Sequence, residues 1–410
     1  MNVSRRAITL GGLAAAAGTI APLTAGRAQA RPVIRVGCLT DMSGPYKDLA
    51  GPGAVSAIKQ AIQEFGVAGK GFDVEVLVAD HLNKPDVGTT VARQWFDRDG
   101  VDVIVEVANS GVALAVANVA KEKNKVYLNT GAATSDLTAA ACNANTIHWV
   151  YDTYMLAQST GAAMVKSGGD SWFFITADYA FGKALQRDTT DFVTNAGGKV
   201  LGGVTYPFPG TTDFSSYLIQ AQSSGAKVLG LANAGTDTIN TIKQAKEFGI
   251  KMRLAGLLLF LTDIHSLGLE VSQGIVLTDS FYWDMNDRSR AFSDRYTANM
   301  KGTRPTMVQA GVYSSISHYL KAATAMGVDK AKLDGAATIA QLKAMPTDDD
   351  CFGAGSIRAD GRKIHPSYLW EVKKPGESKG PWDYYKAVAS TPADKAFRPL
   401  DKGGCPLVKA

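Results

Sequence analysis

The chain has 410 residues, of which 46% are hydrophobic, so it is long enough to bury two cores. Its formal net charge is +5, and it falls to +2 without residues 1–30, which carry three arginines and no acid. This balance gives no basis for binding to nucleic acid or to a membrane surface.

Residues 1–30 have the pattern of an export signal. Arg5 and Arg6 precede a weakly apolar run, and Ala28 and Ala30 place small residues where a signal peptidase cuts. The paired arginines favour the twin-arginine route, so we expect the mature protein in the periplasm. A membrane anchor is the alternative, which the glycines and the proline in the run disfavour. No later stretch reaches the ~20 apolar residues of a spanning helix, so no membrane insertion is expected.

From residue 33 onward, strand-like and helix-like segments alternate, which is typical of parallel sheets covered by crossover helices. The first series predicts strands at 33–39, 73–80, 101–107 and 125–130. Its helices are predicted at 51–66, in the segment that ends near residue 100, and after Ser110. After the aromatic segment 147–155, a second series predicts strands at 171–178, 199–207, 226–233 and 253–260, with helices at 156–169, 181–198, 213–225 and 236–249. The chain is therefore predicted to be α/β with two lobes.

The remaining C-terminal part is less regular. An amphipathic pattern predicts a core helix at 307–327, and residues 364–375 are predicted to be a strand.

The chain has four cysteines, an even number that suits a disulfide in an exported protein. Cys351 and Cys405 lie in loop-like contexts near the C-terminus, whereas Cys38 interrupts an apolar strand. We therefore expect Cys351 to pair with Cys405, although Cys142 leaves other pairings open.

Signatures of catalysis are missing from the sequence. It contains no G-x-S-x-G nucleophile elbow, no Walker phosphate loop and no H-E-x-x-H helix, and its five histidines are scattered singly. We therefore expect that the protein is not an enzyme and that it has neither a cofactor nor a metal site. An exported α/β hydrolase or dehydrogenase is the rival interpretation, and it needs a nucleophile or a cofactor loop that the sequence does not show.

The strand-to-helix joints are the remaining candidates for a site. In open parallel sheets, ligands bind beyond the carboxyl ends of the strands, where helix N-termini present free N–H groups. Asn109 and Ser110 form one such joint, and residues 129–138 form the next. The small residues there let a ligand approach the backbone. The alternative for Ser110 is a simple helix cap.

Four segments in series resemble the periplasmic solute-binding proteins of the branched-chain amino acid class, the two-lobed type I receptors of ABC importers. They are residues 42–66, 109–138, 178–188 and 202–235, and the block PFPGTTDFS at 207–215 is the most diagnostic. The resemblance implies two Rossmann-like lobes with a ligand cleft between them. It assigns residues 31–148 with about 284–345 to the first lobe, and residues 149–283 with about 346–410 to the second.

The resemblance also implies site residues. In this family a serine at the helix start and the backbone of a G-A-A joint hold the ligand's carboxylate, which corresponds to Ser110 and residues 131–133. Tyr46 and Tyr179 are expected at the ligand from the two lobes, or else as packing residues at the rim. The full expected ligand-binding set is Tyr46, Asn109, Ser110, Gly131, Ala132, Ala133, Trp149, Tyr151, Tyr179, Ala234, Asp237 and Leu257.

The sequence departs from the family where amino-acid binders place a carboxylate against the ligand's ammonium group. Leucines occupy that place, at 257–259. Either Asp237 or Asp263 substitutes for the missing acid, or the ligand has no ammonium group. We favour a keto or aromatic carboxylate, packed against Leu257, Phe260 and the aromatic residues Trp149, Tyr151 and Tyr154; a branched-chain amino acid is the alternative.

The expected partners are a small anionic solute and the permease subunits of an ABC transporter. The binding protein itself is expected to be a monomer that closes around its ligand. A ligand-binding sensor subunit is the alternative within the same fold.

Overall fold

The computed structural model describes residues 31–409 of the chain. The expected export signal, residues 1–30, lies outside these described residues. None of the described helices combines the length and the apolar character that crossing a bilayer requires.

The first sheet is built from five parallel strands in the order β2-β1-β3-β4-β5. Its strands are β1 (Val33–Thr40), β2 (Asp73–Asp80), β3 (Val103–Glu106), β4 (Val126–Asn129) and β5 (Thr146–His148). The helices between them are α1 (Gly51–Phe65), α2 (Pro85–Gln94) and α3 (Ser110–Glu122), with a π-helical turn at Trp95–Asp99 and 3₁₀ turns at Val67–Lys70 and Ser135–Thr138. The inner strands β3 and β4 are buried at every residue, as strands covered by helices on both faces are.

The second sheet has seven strands in the order β14-β13-β10-β9-β8-β6-β7. Its parallel part comprises β6 (Ser171–Ala177), β7 (Lys199–Tyr206), β8 (Val228–Ala232), β9 (Arg253–Gly256) and β10 (Val276–Asp279). Its helices are α4 (Thr153–Leu156), α5 (Ala162–Lys166), α6 (Ala180–Asn195), α7 (Ser215–Ser223), α8 (Thr236–Glu247), α9 (Leu261–Leu267) and α10 (Leu269–Ser272), and a π-helical turn at Ala157–Gly161 joins α4 to α5. The α/β fold class predicted from the alternating pattern is confirmed.

The rest of the chain contributes helices beside one sheet, two strands to the other, and a separate two-stranded hairpin. The helices are α11 (Asp287–Asn299), α12 (Met307–Met326), α13 (Val328–Leu333) and α14 (Gly335–Ala344). The strands are the short hairpin β11 (Ser356–Ile357) and β12 (Lys363–Ile364), then β13 (Ser367–Val372) and β14 (Tyr385–Thr391), followed by the turn α15 (Ala393–Ala396) and 3₁₀ turns at Pro375–Glu377 and Leu400–Lys402. Helix α12 packs along α1 beside the first sheet, while β13 and β14 add an antiparallel edge to the second.

Among the segments that differ from the sequence-based prediction are two in the parallel part of the second sheet. Residues 253–260 were predicted to be one strand, but β9 ends at Gly256 and the leucines form the loop that leads into α9. Strand β10 was not predicted, although its apolar run follows Gly274 as a turn signal.

The predicted pairing of Cys351 with Cys405 is wrong. Cys405 is bonded to Cys142, with a Cα–Cα distance of 5.6 Å, and Cys351 and Cys38 are buried free thiols. The reason is the path of the tail, which leaves the second sheet after β14 and returns to the first lobe. There the Arg398 guanidinium donates to the Ser135 hydroxyl at 2.9 Å, close to Cys142 in sequence. The last part of residues 346–410 is thus linked to the first lobe by the disulfide bond.

This disulfide can be mapped directly. Digestion of the unreduced protein is expected to yield linked peptides that contain Cys142 and Cys405, and mass spectrometry identifies them. Because the bond closes a loop of 263 residues, Cys405→Ser is expected to lower the free energy of unfolding by about 2–5 kcal/mol. Cys351 is expected to react with an alkylating reagent only after unfolding, and a linked peptide containing Cys351 contradicts the arrangement.

Candidate functional site

A narrow cavity lies where the carboxyl ends of the two sheets meet. Residues from the joints after β1, β3, β4 and β5 line it on one side, and residues from the joints after β6, β8 and β9 line it on the other. They are Tyr46, Leu49, Ala108, Gly131, Ala133, Tyr151, Tyr179, Phe181, Ala234, Leu258 and Phe260. None of these residues has a charged side chain, so the wall offers apolar surface, phenol hydroxyls and backbone polar groups.

The two sides of the cavity are in direct contact at its mouth. The hydroxyls of Tyr46 and Tyr179 share a short hydrogen bond, and Phe208 stacks on both rings, with centroids 5.5 Å and 4.4 Å away. Burial raises the pKa of both phenols, so both stay protonated and one donates to the other. The described arrangement is therefore closed.

A backbone contact completes the closure. The N–H of Thr236 donates to the carbonyl of Pro45 at 3.1 Å across the cleft. Gly235, which precedes it, has φ +60°, and a Cβ atom there would collide with the same carbonyl. Only glycine at this position lets the two backbones approach so closely.

Asn109, and not Ser110, caps helix α3. Its side-chain oxygen accepts from the N–H of Val112 at 3.1 Å, and its amide donates to Asn83 at 3.3 Å, which in turn donates to Asp41 at 2.7 Å. The alternative that Ser110 is merely the cap is therefore wrong. The Ser110 hydroxyl accepts from the N–H of Thr134 at 3.2 Å and keeps its own proton available for donation.

The joint after β4 uses one residue for support and two for the cavity wall. Asn129 bonds both polar backbone groups of Ala132, at 3.1 Å and 2.8 Å, so Ala132 lies behind the wall. Gly131 and Ala133 line the cavity, and the Tyr151 hydroxyl donates to the Gly131 carbonyl. The N–H groups of Gly131 and Ala133 donate to no protein acceptor among the described residues.

The two aspartates considered as ammonium partners are both engaged elsewhere. Asp237 accepts from the Tyr206 hydroxyl at 2.7 Å and borders an outer groove instead of the cavity. Burial raises its pKa to about 6, against the lowering effect of that hydrogen bond. Asp263 accepts from the N–H of Phe260 at 2.9 Å in the first turn of α9, and burial raises its pKa to about 7.

Three expected ligand contacts lie away from the cavity. The Trp149 indole N–H donates to Ser314 at 2.7 Å and the ring is fully buried. Leu257 is also fully buried, and the next residue, Leu258, lines the cavity in its place. Tyr154 packs edge-to-face on Phe192, with centroids 4.9 Å apart.

Of the expected set, Tyr46, Gly131, Ala133, Tyr151, Tyr179 and Ala234 line the cavity. The cavity is also lined by Leu49, Ala108, Phe181 and Leu258, which were not expected there from the sequence. Ala108 and Phe181 could have been found, since each lies within two residues of an assigned position at the same joint. No pattern in the sequence distinguishes Leu49 from an ordinary core leucine.

Two α/β lobes, joined around a cleft whose walls are strand-to-helix joints, define the class of solute-binding proteins with the type I periplasmic binding protein fold. The sequence profile of the periplasmic binding protein family matches residues 33–380 of this chain. The chain therefore belongs to this family.

Known relatives agree with the fold. A periplasmic binding protein from Burkholderia mallei, solved by crystallography, is 52% identical, has a TM-score of 0.88 and is similar over 92% of this chain and 99% of that one. The Leu/Ile/Val-binding protein homolog 3 of Brucella melitensis is 26% identical over 252 residues, which are 60% of this chain and 67% of the relative. An ABC transporter solute-binding protein from R. palustris, solved with benzoate, is 21% identical over 91% of this chain and 99% of that one, with a TM-score of 0.80, which shows the fold alone.

The contact between Tyr46 and Tyr179 can be measured by a double-mutant cycle. Tyr46→Phe and Tyr179→Phe each leave the partner hydroxyl buried without its bond, whereas the double variant removes both groups. The sum of the two single effects on the free energy of unfolding is therefore expected to exceed the effect of the double variant by about 1 kcal/mol, as measured by urea denaturation.

A control cycle pairs Tyr46→Phe with Tyr217→Phe, because Tyr217 packs its ring against Phe214 on the second lobe and takes no part in the contact. No coupling is expected there. Equal coupling in both cycles contradicts a direct bond across the cleft.

Proposed function

We propose that this protein captures a small carboxylate between its lobes and delivers it to the permease of an ABC transporter. The ligand is an organic acid without an ammonium group, of the keto or aromatic carboxylate type. The observation that carries this proposal is the composition of the cavity wall, which contains donors for an anion and aromatic surface but no charged side chain.

The first lobe provides the hydrogen-bond donors for the anionic group of the ligand. The N–H groups of Gly131 and Ala133 have no protein acceptor, and the Ser110 hydroxyl keeps a proton to donate at the N-terminus of α3. The positive end of the helix dipole adds to their attraction for a carboxylate. These groups lie on two neighbouring joints, so one carboxylate can bridge them.

The rest of the ligand is met by rings and aliphatic side chains. Tyr151, Phe181 and Phe260 form this part of the wall together with Leu258. An ammonium group enclosed there without a partner costs several kcal/mol, because Asp237 and Asp263 already accept hydrogen bonds outside the cavity. The fold's ability to hold an aromatic acid is supported by the benzoate complex of the R. palustris protein.

A branched-chain amino acid is the second candidate. It is favoured by the name of the Brucella melitensis relative, a Leu/Ile/Val-binding protein homolog. Such a ligand needs a carboxylate at its ammonium group, and that requirement separates the two candidates.

Binding acts through closure. A ligand that contacts both lobes stabilises the closed arrangement in proportion to its preference for that state over the open one. The closed outer surface is then the form that the permease recognises, and no covalent step is required.

A ligand panel distinguishes the two candidates. The protein without residues 1–30 is melted with benzoate, 4-hydroxybenzoate, short 2-keto acids, leucine and valine. An acid at about 100 times its Kd is expected to stabilise the folded form by roughly 2.7 kcal/mol, and only the acids without an ammonium group are expected to raise the Tm. A rise with leucine or valine alone contradicts the organic-acid proposal.

The role of Ser110 is tested in the same assay. Ser110→Ala removes one donor to a charged acceptor, so the Kd for the stabilising acid is expected to rise about tenfold or more, measured by calorimetry. Ser223→Ala is the matched control, because Ser223 is exposed and its hydroxyl donates to the Ile219 carbonyl on its own helix. An unchanged Kd in Ser110→Ala places the carboxylate elsewhere.

A further inference from the structure

Glu106 is a buried acid directly behind the wall of the cavity. It is the last residue of β3, two residues before Ala108, and none of its surface is exposed. Neither carboxyl oxygen makes a hydrogen bond of good geometry, although the Thr40 hydroxyl and the N–H groups of Val107 and Ala108 lie near it, and no salt bridge among the described residues includes it. A buried acid without partners is costly, so its retention calls for a reason.

The backbone at this position is also unusual. Glu106 has φ +82° and Val107 has φ +65°, two consecutive residues with side chains in the left-handed region. A valine there is a marked outlier, because its branched side chain crowds the backbone. Strain of this kind persists where the surrounding structure enforces it, and it concentrates at functional sites.

The carboxyl group points toward the wall of the cavity. Its Oε1 atom occupies the space that a side chain on Gly131 would fill, and Ala108 Cα lies 2.9 Å from the same point. Gly131 and Ala108 both line the cavity, so Glu106 fills the gap between two of its walls. The acid therefore lies beside the groups that are proposed to hold the ligand's carboxylate.

The surroundings of Glu106 contain no cation. The titratable groups that influence it, or that it influences, are Asp41 from the loop after β1, Cys38 on β1, Tyr127 on β4 and Tyr151 after β5. Burial, and then the negative charge of Asp41, raise the pKa of Glu106 to about 8, while the Thr40 hydroxyl and the N–H groups of Val107 and Ala108 lower it. Burial raises the pKa of Cys38 and of both tyrosines, so they stay neutral.

We propose that Glu106 is kept as a neutral carboxylic acid beneath the ligand site and that this proton is required for the binding of an anionic ligand. This inference rests on the proposed function. An ionised Glu106 beside a bound carboxylate places two like charges in a dry site, whereas the neutral acid adds an O–H donor. Glu106 thereby favours anionic ligands and makes their affinity depend on pH. Its carboxyl group keeps its proton when the ligand binds.

The binding test uses benzoate, whose own charge is constant above pH 6. If only the protonated form of Glu106 binds benzoate, and its pKa is about 8, the Kd is expected to rise about tenfold between pH 6.5 and pH 9. Glu106→Gln is a neutral group of the same shape, so its Kd is expected to stay constant over this range. Calorimetry at several pH values measures both proteins.

Asp279→Asn is the matched control. Asp279 is another fully buried acid whose pKa is raised to about 8 by burial, but it lies on β10 and accepts from the N–H of Phe281. This variant is expected to keep the pH dependence of the wild-type protein. Loss of that dependence in Asp279→Asn, or its persistence in Glu106→Gln, overturns the assignment to Glu106.

A second measurement does not need a ligand. Infrared difference spectra between the wild-type protein and Glu106→Gln are expected to show a protonated carboxyl band at pH 6.5 that disappears as the pH rises through about 8. Absence of this band overturns the neutral acid even if binding depends on pH.

The outcomes separate this inference from the proposed function. If the band is present and neither benzoate nor another carboxylate binds at any pH, the proposed function fails, and the ligand role of Glu106 fails with it. If benzoate binds with the same Kd at all pH values, the proposed function stands and the role of Glu106 is wrong. If leucine binds more tightly as the pH rises and Glu106→Gln abolishes its binding, Glu106 is instead an ionised partner of an ammonium group.

Discussion

The structure depends on one constraint, which is that parallel strands bring their carboxyl ends to a single edge of the sheet. The two lobes turn these edges toward each other, so every residue that lines the cavity comes from a segment that follows a strand. At such an edge the helices begin, and their first N–H groups have no partner within the helix. A site built this way offers backbone donors to an anion without a cationic side chain. Side chains are left to provide shape, and here they are mostly rings and small aliphatic groups.

Three contacts at the mouth of the cavity help to hold the two lobes closed. The bond between Tyr46 and Tyr179, the stacking of Phe208 on both rings, and the bond from Thr236 to Pro45 are made by the protein itself. Each hydrogen bond is worth about 1 kcal/mol, and other bonds, such as that from Ser135 to Asp188 at 2.8 Å, also join the lobes, so together they contribute to the balance between the open and closed arrangements. A ligand shifts such a balance only through the contacts that it makes in the closed state. The aromatic contacts at the mouth of the cavity and the strand-to-helix joints that line it therefore both favour the closed arrangement.

In the first lobe, an extended set of internal hydrogen bonds positions the protein groups that are proposed to contact the ligand. Asp41, Asn83 and Asn109 form a chain of hydrogen bonds that fixes the start of α3, and Asn129 fixes the joint after β4. These polar residues are all buried and satisfied, which makes the wall rigid. Glu106 differs from these four residues, since neither of its oxygens makes a hydrogen bond of good geometry, and the strained backbone around it marks the same place.

The sequence by itself determined the alternation of strands and helices, the two lobes and the joints that carry the site, because hydrophobic period and glycine placement are local properties of the chain. The resemblance of four segments added the family, and six of the twelve residues expected at the ligand line the cavity, including Tyr46 and Tyr179. Only the tertiary structure decided which side of the wall each residue faces. Leu257 and Leu258 are adjacent and chemically identical, yet the end of β9 at Gly256 buries the first and leaves the second at the cavity. The partner of Cys405 was likewise decided by the return of the tail to the first lobe, a path that no local pattern in the sequence specifies.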